Sequence, residues 1–190
     1  MDSITQAVLG ASIGEATLGH KIGNRGALAG ALVATLPDLD VALYAVYSPF
    51  EMLSIHRGLS HSILFSVLGA LLIAWIMTKM KSFKSLSFIR LFVFSWLALF
   101  THILLDAFTA YGTQLLLPFS NLRVGFNAIN VVDPVYTLPM LAGLIWTLRR
   151  RSTNSSGGNT IGLIVSNLYL LATLGVHAYV SNKISLDLAN

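Results

Sequence analysis

The chain has 190 residues, of which 55% are hydrophobic and 11% charged, and its mean hydropathy is +0.72. Soluble domains carry about 25% charged residues, so this composition argues against a soluble globule and against disorder and points to an integral membrane protein. The absence of cysteine excludes disulfides, thiolate zinc sites and thiol nucleophiles, and the net charge of +4 resides in short loops between apolar runs, where it sets membrane orientation rather than nucleic-acid binding.

Several stretches approach the roughly 20 apolar residues that span a bilayer. They cover about 4–19, 26–47, 61–78, 88–108, 134–148 and 161–181. The first is the weakest, because it is short, rich in small residues and interrupted by Glu15. It follows Met1-Asp2-Ser3 with no basic stretch, so a cleavable leader is not expected. The second is broken by Pro37-Asp38-Leu39-Asp40. The polar tract from Arg149 to Asn159 reads as a flexible linker before the sixth segment. The stretch from Thr113 to Val135 joins segments four and five, and a loop of that length is usually functional or re-entrant. The expected fold is an all-α, polytopic membrane helical bundle with about five to six hydrophobic segments. Glycine pairs Gly10/Gly14 and Gly26/Gly30 read as close helix packing.

Basic residues fix the expected topology. Lys21 and Arg25, then Lys79, Lys81, Lys84 and Arg90, then Arg149, Arg150 and Arg151 occupy alternate loops. The positive-inside rule makes those loops cytoplasmic. Of the acids, only Glu15 then falls in the inner half of the bundle. His56, His61, His102 and His177 map outward with the remaining acids, whereas His20 does not. Acids contribute little to orientation, so this gathering on one face calls for another explanation.

Candidate chemistry lies in that outer half. His102 and Asp106 are separated by four residues in an almost unbroken apolar helix and share a face. A nitrogen and a carboxylate so placed suit zinc or a similar divalent ion. The plain structural alternative is a His–Asp pair stapling helices. In His56-Arg57-Gly58-Leu59-Ser60-His61, Ser60 reads as an N-cap with His61 in the first turn that follows. Two histidines five apart on a helix would diverge by about 140°, so His56 and His61 converge only if the turn folds back. Asp38 and Asp40 would not share a face on a regular helix. One is expected to ligate and the other to cap backbone or orient a histidine. Arg57 and Arg123 oppose the orientation bias, and a guanidinium suits phosphate or carboxylate; a salt bridge to Glu51 or a nearby Asp is the alternative. Asp133-Pro134 reads as a helix start. Thr109, Tyr111, Gly112, Thr113 and Gln114 open the long loop, where substrate binding and turn chemistry are not separable. No nucleophile elbow, P-loop or Rossmann fingerprint occurs.

The strings MDSITQA, LPDLD, HRGLSHS, HILLDAFTAYGTQLLLPFS and DPVYT occur in this order. Together they resemble the YdjM-type family of LexA-regulated, membrane-bound, metal-dependent hydrolases, over about residues 1–150. That family is grouped with the zinc-dependent phospholipase C and P1-nuclease superfamily, which would suggest a phosphoester substrate. The resemblance implies a membrane-embedded hydrolase domain over 1–150, a polar linker over 151–159 and an additional transmembrane helix with a short tail over 160–190. His56, His61, His102, Asp106, Asp38 and Asp40 match the family's polar pattern, and the expected metal-ligand pool is Asp38, His56, His61, His102 and Asp106, with Asp40 as base or orienting partner; by its own chemistry Arg57 or Arg123 would hold the anionic group. The ion would be zinc, with manganese as the alternative, and would lower the pKa of a bound water to roughly 7. Partners would be the lipid bilayer and a small-molecule or lipid phosphoester, with no nucleic acid; the place would be the bacterial inner membrane, with the site on the non-cytoplasmic side. One position departs from the family's opening, where Gln6 stands in place of a histidine, and an amide is a poor zinc ligand. Competing classes are an ion or proton transporter and a non-catalytic, metal-stabilised membrane protein. A transport path needs polar groups reaching both faces, and the sequence offers the inner half only Glu15 and His20.

Overall fold

A computed structural model of the chain describes residues 1–45, 57–150 and 157–189. Helix α1 spans Ser3–Gly14 and runs on through a π turn, Glu15–Gly19, into a last turn at His20–Ile22. Helix α2 is Arg25–Ala34, α3 Ile63–Lys79, α4 Phe88–Ala107, α5 Pro134–Arg149 and α6 Gly157–Ala189. Short 3₁₀ turns cover Pro37–Ala45, Leu59–His61 and Lys81–Phe83. Among the described residues the only β pairing is two isolated bridges, Thr109 with Ile129 and Thr113 with Val124.

The helices pair in chain order, α1 with α2, α3 with α4 and α5 with α6, and α1 and α4 lie at the centre, in contact with each other and with neighbouring hairpins. Small residues set the closest approaches. A Cβ on Gly10 would lie 2.3 Å from the Gly30 carbonyl oxygen, and one on Gly14 would lie 2.0 Å from that of Gly26. The α1–α2 hairpin is thus in backbone contact, as the glycine spacing predicts. Gly143 meets Gly158 and Gly162 in the same way between α5 and α6.

Caps explain several ends. Asp2 accepts from the Ile4 and Thr5 amides and opens α1. Asp133 accepts from those of Val135 and Tyr136, with Pro134 at the first helical position, as the sequence predicts. The cap of α3 is Ser62, not Ser60: Ser62 Oγ accepts from the Phe65 amide, and His61 belongs to the preceding 3₁₀ turn. The last helix begins at Gly157, so Gly157, Gly158 and Asn159 of the expected linker form its first turn. Gly158 packs there on Gly143, and Asn159 donates from Nδ2 to the Ser12 carbonyl at 2.9 Å.

Two helical stretches, Phe88–Ala107 and Gly157–Leu188, are long and apolar enough to cross a membrane, and Arg25–Ala34 and Ile63–Lys79 are shorter apolar helices. Helix α4 is the better buried of the two. Its inward stripe runs Leu91, Ser95, Ala98, His102 and Asp106, steps of three and four that form one face. The core stripe and the His–Asp pair are therefore the same face of one helix. The segment after α4 folds back over its end, where Phe126 N–H donates to the Ala107 carbonyl and Ala128 N–H to that of Phe108, both at 2.8 Å.

Candidate metal centre

Proline creates the first half of the site. Pro37 has no N–H to give and disfavours helix at Leu36, so α2 ends and the chain tightens into a 3₁₀ turn. With about three residues per turn, Asp38 and Asp40 point about 120° apart, and each meets a different nitrogen of one imidazole. His61 stands between them. Its Nε2 lies 3.3 Å from Asp38 Oδ1, and its Nδ1 lies 3.8 Å from Asp40 Oδ2.

Helix α4 supplies the second half. His102 Nε2 is 3.3 Å from Asp38 Oδ1 and 3.2 Å from His61 Nε2. Asp106 Oδ2 is 3.2 Å from His61 Nε2 and 3.7 Å from His102 Nε2. One ligand atom from each of Asp38, His61, His102 and Asp106 can be chosen so that all four lie within 4.8 Å of one another. Both imidazoles and Asp106 are fully buried.

This donor set fits a divalent ion. Two imidazole nitrogens and two carboxylate oxygens converge, and Asp106 Oδ2 has no hydrogen bond of sound geometry. Buried carboxylate oxygens without donors are costly, and two His with two Asp is a ligand set that zinc accepts. Ser60 adds the orienting contact that such histidines usually have. Its hydroxyl donates to Asp40 Oδ2 at 2.9 Å and lies 2.9 Å from His61 Nδ1. A carboxylate only accepts, so the Ser60 proton goes to Asp40 and His61 Nδ1–H donates to Ser60 Oγ. That leaves the Nε2 lone pair of His61 facing the cluster.

Around this centre lie groups of another kind. Arg57 is buried, with φ of 60°. Its Nη1 donates to Thr109 Oγ1 at 2.9 Å, its Nη2 lies 3.4 Å from Asp106 Oδ1, and its guanidinium lies 5.4 Å from the centre of the Tyr111 ring. Burial pulls the Arg57 guanidinium below its ordinary pKa; the charge of Asp38 opposes that shift and the like charge of Arg123 adds to it. Arg123 is exposed on the folded-back segment, with Nη1 3.5 Å from the Gly112 carbonyl. Gln6 is fully buried and donates from Nε2 to Asp106 Oδ1 and to the His102 carbonyl, both at 3.2 Å. The Met1 amine also touches Asp106 Oδ1.

The structure thus brings together Asp38, His61, His102 and Asp106 and places Asp40 behind His61, on its Nδ1 side. Arg57 lies against Asp106, and Arg123 lies farther out. His56 lies outside the described residues, as does Glu51. Sequence reading did not place Gln6 on Asp106 or Ser60 behind His61. The first contact bridges 100 positions, and no local spacing marks it. The Ser60 contact is local, and the adjacent polar pair Ser60-His61 is its one sequence signal.

These features define an all-helical protein of the membrane type with a buried His/Asp group able to hold a metal ion. The chain belongs to the YdjM inner membrane protein family, whose profile matches residues 1–183. That match runs past the strings around residues 1–150 and includes most of α6. The chain is 32% identical over 179 residues to the uncharacterized protein YfhP of Bacillus subtilis (strain 168), an alignment covering 90% of this chain and 51% of that protein. The chain therefore spans about half the length of the curated relative it matches. No solved structure matches it.

Proposed function

We propose that the protein is a metal-dependent hydrolase of the bacterial inner membrane, acting on a phosphoester, possessed by a lipid or a small molecule, at the non-cytoplasmic face. The observation that carries this reading is the convergence of Asp38, His61, His102 and Asp106 beside a buried arginine. A divalent ion, zinc or manganese, would be held by those four side chains. The chemistry that such an ion supplies is Lewis acidity, which polarises a phosphoryl oxygen and acidifies water toward a pKa of roughly 7. The chain's own residues do the rest. Arg57, fixed by Thr109 and Tyr111, meets the anionic group with a planar fork of donors, and Arg123 adds a second positive charge on the same side. Asp40 and Ser60 hold the His61 tautomer. The covering segment from Thr109 to Val124 limits access of water.

A second reading, a metal-stabilised membrane protein without turnover, is favoured by how closed the cluster is, since only Asp38 among the four retains appreciable exposure. One experiment separates the two. The detergent-purified protein is measured for metal by mass spectrometry and assayed on a phosphomonoester, a phosphodiester and phosphatidic acid, beside His61→Ala, His102→Ala and Asp106→Ala. A bound ion and metal-dependent hydrolysis, both lost in the variants, support the hydrolase. A bound ion without turnover on any of the three substrate types supports the structural reading. Absence of any ion after reconstitution with zinc or manganese removes the metal site.

A further inference from the structure

The two oxygens of Asp106 face different surroundings. Oδ2 looks toward the imidazoles, 3.2 Å from His61 Nε2, and has no hydrogen bond of its own. Oδ1 looks toward donors: the Met1 amine, Gln6 Nε2 at 3.2 Å and Arg57 Nη2 at 3.4 Å. An arginine has no lone pair to offer a cation, and an amide nitrogen is a donor only. The orientation of the Gln6 amide is fixed by its neighbours. The same nitrogen is 3.2 Å from the His102 carbonyl oxygen, so it faces two acceptors, and turning the amide over would set oxygen against oxygen at both. Gln6 reaches this position from the second turn of α1, which backbone contact with α2 holds in place.

We infer that Gln6 and Arg57 close the Oδ1 side of Asp106 to cations, so that the cluster takes a single divalent ion through Oδ2, with Gln6 as the positioning residue that fixes this number. The inference rests on the metal site proposed above and specifies how many ions it holds. A second ion bridged to the first by Asp106 would have to use Oδ1, where hydrogen-bond donors and the Arg57 charge disfavour it. Gln6→Glu reverses the local chemistry at almost constant volume. It replaces a donor with an acceptor and sets a second carboxylate against Asp106, a pair that a further cation would stabilise. Gln6→Leu removes the donor and supplies no ligand. Asp106 then loses a hydrogen bond that orients it, which typically weakens metal binding about 10–100-fold.

The test is metal stoichiometry in the full chain, by titration of the metal-free protein with Zn²⁺ and by the absorption spectrum after loading with Co²⁺. The unsubstituted protein is expected to bind one equivalent. Gln6→Glu is expected to bind a second equivalent, and Gln6→Leu to keep one, about 10–100-fold weaker and with a shifted Co²⁺ spectrum. Two equivalents in the unsubstituted protein would overturn the single-ion inference and leave the metal site standing. One equivalent in Gln6→Glu, or unchanged affinity and spectrum in Gln6→Leu, would overturn the role of Gln6. No binding by the unsubstituted protein would fail the metal site itself. Thermal unfolding of the metal-free variants identifies any loss that comes from misfolding.

Discussion

Ser60 has one hydroxyl proton, and its destination decides which nitrogen of His61 faces the ligand cluster. Because Asp40 takes that proton, His61 must donate from Nδ1, and its Nε2 presents a lone pair to the cluster. Ser60→Ala removes this link and leaves the imidazole free to change tautomer. Zinc affinity is expected to fall about 10–100-fold, measured by competition with a chelating dye, with the metal-free protein losing less than about 1.5 kcal/mol in thermal unfolding. Unchanged affinity would show that Ser60 does not set the tautomer. Arg57 makes the complementary prediction. Arg57→Lys keeps the charge but loses the fork that reaches Thr109 and Asp106 together, so KM for a phosphoester is expected to rise about tenfold with the bound ion retained. The clustered residues His102, Asp106 and Asp38 stand out in the sequence because their costs are local: His102 and Asp106 interrupt an apolar helix, and Pro37 marks the break that delivers Asp38. The choice between Asp38 and Asp40 was not legible, because it depends on a 3₁₀ turn that brings them to different nitrogens of one imidazole ring.

Helix α1 brings Gln6 to the cluster, and α2 leads directly into the turn that carries Asp38. Their alignment rests on Gly10, Gly14, Gly26 and Gly30, where a side chain would collide with backbone. Gly30→Leu is expected to force the two helices apart, lowering both thermal stability and metal affinity. Gly162→Leu opens the α5–α6 pair instead, whose residues include none of the four clustered ligands. It is expected to lower the unfolding temperature while metal binding persists. Equal loss of metal in both variants would show that the two hairpins are not separable. Segment positions were read closely from hydropathy, since a buried helix and its apolar run coincide. Boundaries fared worse where polar groups decide them. Ser60 and Ser62 are both plausible caps by composition, and only the backbone path through Leu59–His61 assigns the role to Ser62. The polar run before α6 looks like a linker, yet its glycines allow a helical turn to lie flat against α5, and Asn159 finds acceptors there.

At the scale of the molecule, charge and chemistry separate along the helix axes. Arg90 opens α4 and Asp106 nearly closes it, 16 residues apart, or about 24 Å at 1.5 Å per residue. Lys79, Lys81 and Lys84 lie at the same end as Arg90, in the turn between α3 and α4, and Lys21 and Arg25 flank the turn between α1 and α2. His61 and Ser62 instead lie just before α3, at the cluster end. Lys79 stands 5.7 Å from the Trp75 ring and Arg150 4.8 Å from that of Trp146, cation–π contacts at this end of the helices. If the helices cross the bilayer, the positive-inside rule would place these basic turns in the cytoplasm and the cluster on the other face. Because the chain has no cysteine, single cysteines can report on this directly. Asn121→Cys, exposed on the segment that folds back over the end of α4, is expected to react with a membrane-impermeant maleimide in intact cells made permeable only at the outer membrane. Ser85→Cys, exposed in the basic turn, is expected to react only after the inner membrane is opened. The reverse pattern would place the cluster in the cytoplasm. Reaction of both from one side would mean that the helices joining them do not cross the bilayer, because the two positions lie at opposite ends of α4.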